Sequence, residues 1–144
     1  MAKHLFTKDQ KDEIVQAIKS AELNTSGEIM VHIEQKCKEE VLDRASGVFD
    51  MLGMQKTELR NGVLFYLAVK DQKFAILGDG GINEKTGEHF WAEIKELMEL
   101  EFKKGDFTKG LSEGIKMAGE KLKEHYPYQS DDKNELSDEI SFGE

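Results

Sequence analysis

The stretch from Arg60 to Gly81, RNGVLFYLAVKDQKFAILGDGG, constrains the fold of this 144-residue chain more than any other part of its sequence. It contains two apolar runs of β-forming residues, 63–69 and 74–77, separated by the polar residues 70–73, and this pattern predicts a β-hairpin. The first run is apolar without alternation, so we expect both of its faces to be covered, as in the central strand of a sheet between helices.

The segment before the hairpin predicts a helix, a strand and a second helix. Thr7 and Gln10 have the spacing of a capping box, and apolar residues recur at helical intervals over 8–23. Apolar and polar side chains alternate over 28–34, as in a strand, and a second helical stripe covers 39–52. If the strand at 28–34 is a neighbour of the first hairpin strand, the two are parallel and joined by a right-handed crossover.

Two further helices are predicted after the hairpin. Asn83 is a candidate cap for a helix over 84–102, and Asp106 or Thr108 caps a final helix that ends before Pro127. Glycine destabilises a helix interior by about 1 kcal/mol relative to alanine. The three glycines of the final helix, Gly110, Gly114 and Gly119, therefore need a reason. We expect Gly110, Gly114 and Ala118, which are spaced four apart, to let a neighbouring helix or strand approach closely.

These elements together predict one α/β domain over residues 1–127. We expect a three-layer α/β/α sandwich, with a small mixed sheet made of a parallel βαβ unit and an antiparallel hairpin, flanked by about four helices. The remaining residues, 128–144, are acidic and poor in apolar side chains, and they are predicted to form a disordered tail.

Composition and motifs exclude several classes of function. The formal net charge of -9 argues against nucleic acid or an anionic membrane as a partner. The single cysteine, Cys37, fits a reducing compartment, and no apolar run has the length of a membrane span. We expect a soluble, cytoplasmic monomer. Phosphate-loop, nucleophile-elbow and H-E-x-x-H motifs are absent, and the histidines are scattered along the chain: His4, His32, His89 and His125.

Three polar, glycine-bearing corners should meet at one edge of the predicted sheet. They are 26–28, 60–62 and 78–80, because parallel strands start at the same edge and the hairpin returns there. If the carboxylates of Glu28, Asp79 and Asp106 lay ~6 Å from one another, each pair of carboxylates would repel by roughly 3 kcal/mol at an effective dielectric constant of 20.

A hard divalent cation would relieve this repulsion. The candidate ligands are carboxylate, amide and backbone oxygens, from Glu28, Asn61, Asp79, Gly80 and Asp106. The alternative is that these are turn, cap and solvated surface residues without a ligand.

Arg60 is one of two arginines in a chain that otherwise uses lysine. Its guanidinium group is suited either to a structural ion pair with Asp79 or Asp106, or to holding a phosphate beside a bound metal. The second option is an enzyme hypothesis, in which Arg60 and Asp79 serve a metal-dependent phosphatase.

Four short segments resemble the motifs of the TPM domain family. They occur in the order found in that family, and the resemblance spans about residues 5–127; the segments are Thr25-Ser26-Gly27-Glu28, Arg60-Asn61-Gly62-Val63-Leu64, Gly78-Asp79-Gly80-Gly81-Ile82 and Phe102-Lys103-Lys104-Gly105-Asp106-Phe107. The resemblance implies an α/β/α sandwich with these motifs at one end of the sheet, where members are reported to bind calcium.

The resemblance leads to a ranked set of functional hypotheses. We expect a non-catalytic calcium-binding module, with magnesium as the alternative ion. A metal-dependent acid phosphatase is the second hypothesis, since a plant relative in the family has been assigned that activity. A protein-binding adaptor is the third.

Overall fold

The computed structural model describes residues 5–87, 89–128 and 136–143. Five helices and four strands follow one another in the order α1 (Lys8–Glu22), β1 (Glu28–Glu34), α2 (Val41–Met51), β2 (Gly62–Ala68), β3 (Lys73–Gly78), α3 (Gly80–Thr86), α4 (Ala92–Lys103), α5 (Phe107–Leu122) and β4 (Ser141–Phe142), with a short 3-10 helix at Met54–Lys56. None of the helices in these ranges is long and apolar enough to cross a membrane.

The strands form one mixed sheet in the order β3-β2-β1-β4. Strands β1 and β2 are parallel, with Glu28 beside Gly62, and β2 and β3 form the antiparallel hairpin, with Val63 beside Gly78. This arrangement confirms the predicted βαβ unit and hairpin. The capping box at the start of α1 is also present, since the Thr7 hydroxyl accepts from the Gln10 backbone N–H at 3.1 Å.

Helices cover both faces of the sheet, as predicted for a three-layer α/β/α sandwich. Alternate residues of β1, such as Val31, lie in the larger core beneath α1, α4 and α5, and Met30 lies in the smaller core beneath α2. Every residue of β1 and of β2 is buried. The continuous apolar run of β2 is explained by this double coverage.

The single helix predicted over 84–102 is wrong, because the structure has two helices there. Helix α3 already begins at Gly80, where the Asp79 carboxylate accepts from the Gly80 N–H at 2.7 Å. It ends at Gly87, whose φ of 78° lies in the left-handed region that favours glycine. Asn83 is not a cap; its side-chain amide donates to the Gly78 carbonyl at 3.2 Å.

The predicted disordered tail is also wrong for residues 136–143; residues 129–135 and 144 lie outside the described ranges. Strand β4 runs parallel to β1, and the Gly143 N–H donates to the Ile33 carbonyl at 2.8 Å. The physical reason is a set of apolar side chains within the acidic segment that pack against both cores: Leu136, Ile140 and Phe142. Residues 136–143 are called the C-terminal segment below.

The glycines of α5 lie where other helices approach, which confirms the predicted close packing at Gly110 and Gly114 and adds a third contact at Gly119. A Cβ atom at Gly110 would meet the Phe102 ring, and one at Gly114 would meet Met98, both on α4. At Gly119 a Cβ would lie 2.8 Å from both the Cα and the Cβ of Ala21 on α1. The contact at Gly119 involves backbone, so it cannot be relieved by a side-chain rotation alone.

We therefore expect Gly119→Ala to lower the free energy of unfolding by roughly 1–3 kcal/mol, because overpacking must separate α1 from α5. Urea unfolding followed by circular dichroism measures this loss. Gly47→Ala in α2 is the matched control, since a Cβ there meets nothing within 4 Å, and it should be neutral or stabilise by up to about 1 kcal/mol. Equal effects of the two substitutions would contradict the packing argument.

Candidate functional site

The three polar corners predicted to converge do meet at the N-terminal end of β1. The Glu28 N–H donates to the Asn61 carbonyl at 3.1 Å, and the Asn61 side-chain amide donates to the Ser26 carbonyl at 3.1 Å. The third corner joins them through the Asp79 N–H, which donates to the Gly62 carbonyl at 2.9 Å. Four of the five predicted ligand residues therefore share this end of the sheet: Glu28, Asn61, Asp79 and Gly80.

Arg60 and Asp79 form the structural ion pair that was one of the two predictions for Arg60. The guanidinium donates from Nε at 2.8 Å and from Nη2 at 2.7 Å to the two carboxylate oxygens. Burial raises the pKa of Asp79, but the bonds from Arg60 and from the Gly80 N–H outweigh it and hold that pKa below its usual value. Both oxygens of Asp79 are therefore engaged within the protein, which weakens it as a metal ligand.

Asp106 does not join this group, so its predicted convergence is wrong. It caps the N-terminus of α5, where its Oδ1 accepts from the Lys109 N–H at 3.0 Å. Asp106 lines the same small pocket as Val69, the residue that follows β2. Because α5 begins at the hairpin end of the sheet, its cap lies at the end opposite to Asp79. The last of the four family motifs is therefore separated from the other three.

A carboxylate cluster that the sequence analysis missed lies beside Glu28. Its members are Glu22 at the end of α1, Glu28, and Asp138 from the C-terminal segment. The Ile29 N–H donates to Glu22 at 3.2 Å, and the Leu136 N–H donates to Glu28 at 3.2 Å. Burial and then a hydrogen bond to Asp138 raise the pKa of Glu22 to about 9. At neutral pH the Glu22 carboxyl therefore holds a proton.

The donor set of this cluster fits a hard divalent cation. All three side chains carry carboxyl oxygens, of which those of Glu22 become carboxylate oxygens once a cation displaces its proton. The buried Oδ1 of Asp138 has no hydrogen-bond partner within the described residues. Over residues 5–87, 89–128 and 136–143, no three His, Cys, Asp or Glu side chains have an arrangement that could already hold a metal ion. A cation would therefore have to draw the carboxylates together.

A second polar network occupies the other end of β1, on the face covered by α2. Glu34 is its centre: one oxygen accepts from His32 Nε2 at 3.1 Å and from Arg44 Nη2, and the other accepts from Arg44 Nε at 3.1 Å and the Tyr66 hydroxyl at 2.5 Å. His32 Nδ1 lies 2.8 Å from the Ser141 hydroxyl of β4. The network therefore links four elements of the fold.

Burial and hydrogen bonds set the ionisation of this network. Burial raises the pKa of Glu34, but the bonds from Arg44, Tyr66 and His32 outweigh it and lower that pKa to about 2. Burial lowers the pKa of His32 more than Glu34 raises it, so the imidazole is neutral at pH 7. Glu34 is thus a buried anion matched by Arg44. An open cleft of about 690 Å³ adjoins the network.

Solved structures share this architecture. The chain superimposes on the NMR structure of the BA42 protein from the psychrophilic bacterium Bizionia argentinensis with a TM-score of 0.91 and 46% identity, over 96% of this chain and 95% of that chain. It also matches the solution NMR structure of the N-terminal domain of a protein from P. gingivalis, with a TM-score of 0.70 and 16% identity, over 87% of this chain and 82% of that chain. The second likeness shows the fold alone.

The family assignment rests on the sequence match as well as the fold. The TPM domain family model matches residues 2–121. The chain therefore belongs to the TPM domain family, which confirms the resemblance stated from the four motifs. No curated protein matches it.

The lowered pKa of Glu34 predicts a defined dependence of stability on pH. Because the folded-state pKa of about 2 lies below the ordinary value of 4.5, ionised Glu34 stabilises the fold above pH 4.5, and this stabilisation is lost as the pH falls towards 2. The shift corresponds to a loss on the order of 3 kcal/mol. Urea unfolding at pH 7, 4 and 2.5 should show it.

Glu34→Gln should lower the free energy of unfolding at pH 7, because it leaves Arg44 without its buried partner. The variant should also lose less stability than the wild type between pH 4.5 and 2. Glu39→Gln, at an exposed position of the same cleft, should retain the wild-type acid dependence. An unchanged acid dependence in Glu34→Gln would show that other groups control it.

Proposed function

We propose that the protein is a divalent-cation-binding module with its site at the N-terminal end of β1, and that calcium is the preferred ion, with magnesium as the alternative. The observation that carries the proposal is the partly buried cluster of Glu22, Glu28 and Asp138, in which one Asp138 oxygen has no hydrogen-bond partner among the described residues. The proton on Glu22, which is hydrogen-bonded to Asp138, relieves the repulsion between these two neighbouring carboxyl groups, and a cation that displaces this proton would relieve it in the same way.

The residues that would hold the ion follow from the hydrogen bonds. Glu22, Glu28 and Asp138 supply carboxylates. Asn61 adds its side-chain oxygen, because only its amide nitrogen is used to bond Ser26. Calcium accepts such a mixture of oxygens in a flexible geometry, whereas magnesium requires a stricter octahedron. Calcium therefore suits a cluster that must rearrange to bind.

The proposed role of the site is to fix the C-terminal segment against the domain. Asp138 belongs to that segment, whereas Glu22 and Glu28 belong to α1 and β1. An ion shared by the three would connect them, and its supply would set how firmly the segment is held. A cluster made of carboxylates supports binding and regulation rather than turnover. Monomeric state and cytoplasmic location stay predictions from the sequence.

Calcium titration of chelator-treated protein, followed by amide NMR, tests the proposal. We expect saturable shifts near residue 22, over 28–29 and over 136–138. Asp138→Asn should weaken binding at least tenfold, because it removes one carboxylate charge while keeping the shape of the side chain.

The matched control is Asp106→Asn, which alters the one predicted ligand that lies at the opposite end of the sheet. Asparagine is also a good helix cap, so this variant should fold normally and bind calcium as the wild type does. Loss of binding in Asp106→Asn, or shifts distant from the cluster, would contradict the proposed site.

A metal-dependent phosphatase is a second candidate, favoured by the position of Arg60. Its guanidinium is about half exposed and lies at the same end of the sheet as the carboxylate cluster, where it can meet a phosphate that bridges to a bound ion. This hypothesis predicts turnover of 4-nitrophenyl phosphate with Ca²⁺, Mg²⁺ or Mn²⁺, and its loss in Arg60→Ala. The absence of turnover above the blank with all three ions would eliminate it.

A further inference from the structure

We propose that Ser141, His32 and Glu34 form a nucleophile, a general base and an orienting carboxylate that together hydrolyse carboxylic esters. The Ser141 hydroxyl lies 2.8 Å from His32 Nδ1, and His32 Nε2 lies 3.1 Å from Glu34 Oε1. Both distances are within hydrogen-bond reach, which is the geometric requirement for an activated serine. These residues are separate from those of the proposed cation site.

The hydrogen bonds around Glu34 determine which nitrogen of His32 can act as a base. Glu34 is ionised and can only accept hydrogen bonds, so the proton of neutral His32 must lie on Nε2. Nδ1 then carries the lone pair and faces Ser141, whose hydroxyl must be the donor. This is the tautomer that general-base catalysis requires, because Nδ1 is free to take the serine proton.

The surroundings hold the base in place. The His32 side chain is 2% exposed, and its ring stacks on Tyr66 with centroids 6.0 Å apart and planes 12° apart. Glu34 cannot turn away from His32, because Arg44 and Tyr66 also bond to it. Ser141 is placed by the parallel pairing of β4, in which it lies directly beside His32. Catalytic groups on paired strands are positioned more firmly than groups on a loop.

The cleft next to Ser141 points to the class of substrate. It is open to solvent and is lined by Ser141, by the Arg44–Glu34 ion pair, and by the exposed side chains of Lys36, Lys38 and Glu39. Because Arg44 is matched by Glu34, the two lysines against Glu39 leave an excess of one positive charge. Positive groups around a cleft raise the local concentration of anions, although the chain as a whole has a formal net charge of -9. The substrate we infer is therefore a small ester that carries a carboxylate.

The reaction would proceed in two balanced steps. In the first, Ser141 Oγ forms a bond to the ester carbonyl carbon, its proton moves to His32 Nδ1, and the carbon–oxygen bond to the alcohol breaks as the alcohol takes that proton. In the second, water attacks the acyl-serine, gives its proton to His32, and releases the carboxylic acid as Ser141 recovers the proton.

A fluorophosphonate probe tests the nucleophile directly, because it forms a stable covalent adduct with an activated serine. We expect mass spectrometry of the digested protein to locate the adduct on the peptide that contains Ser141. Ser141→Ala should abolish labelling and should lower the enzyme-dependent hydrolysis of mono-4-nitrophenyl adipate at least tenfold; the carboxylate of this ester is too far from the ester group to cleave it efficiently by itself. The neutral ester 4-nitrophenyl acetate should be hydrolysed by the enzyme more slowly than the adipate.

Ser137→Ala is the control, since Ser137 is an exposed serine of the same segment, and its hydroxyl accepts from the Glu139 N–H. It should label and hydrolyse as the wild type does, and the thermal unfolding of both variants shows whether the segment stays in place. An intact wild type that gives no adduct at Ser141 overturns the proposal, as does enzyme-dependent adipate hydrolysis that is unchanged in Ser141→Ala. Faster hydrolysis of the acetate would overturn the anionic substrate.

Discussion

Strand β1 buries all seven of its side chains, although three of them, Glu28, His32 and Glu34, are polar or charged. A buried charge is costly by several kcal/mol unless a partner compensates it, so the fold must bring partners to this strand from elsewhere. Arg44 from α2 and Tyr66 from β2 supply them for Glu34. The position of α2 over the sheet is therefore fixed by an ion pair as well as by apolar packing.

The C-terminal segment also supplies hydrogen-bond partners to the buried polar residues of β1. The Leu136 N–H donates to Glu28, and the Ser141 hydroxyl bonds to His32. It also pairs with the edge of β1, whose N–H and C=O groups are otherwise open to solvent or to another chain. Both proposals depend on this one segment, because Asp138 belongs to the cation cluster and Ser141 is the proposed nucleophile.

Periodicity predicted the central elements well, because each of them is determined by local pattern. Alternation predicts β1, helical spacing predicts α1, and two apolar runs around a polar turn predict the hairpin; the crossover rule then makes β1 and β2 parallel. The early start of α3 depends on a single Asp79 side-chain bond, and its end before α4 depends on the backbone of Gly87; a periodic pattern reveals neither. The location of Asp106 depends on the end of the sheet at which α5 begins, and that is determined by tertiary packing rather than by the local sequence pattern.

The polar network was missed for a different reason, since its partners are distant in sequence: His32 and Ser141 are 109 positions apart. One signal was nevertheless present. In a βαβ unit the crossover helix covers one face of the sheet, and the remaining helices must cover the other face to bury the apolar side of β1. The alternate polar residues of a strand covered on both faces cannot be solvated, so Glu28, His32 and Glu34 had to find buried partners. The partners of Glu28 and His32 in the C-terminal segment, Leu136 and Ser141, were missed because the segment is acidic on average, although a few apolar side chains suffice to dock it.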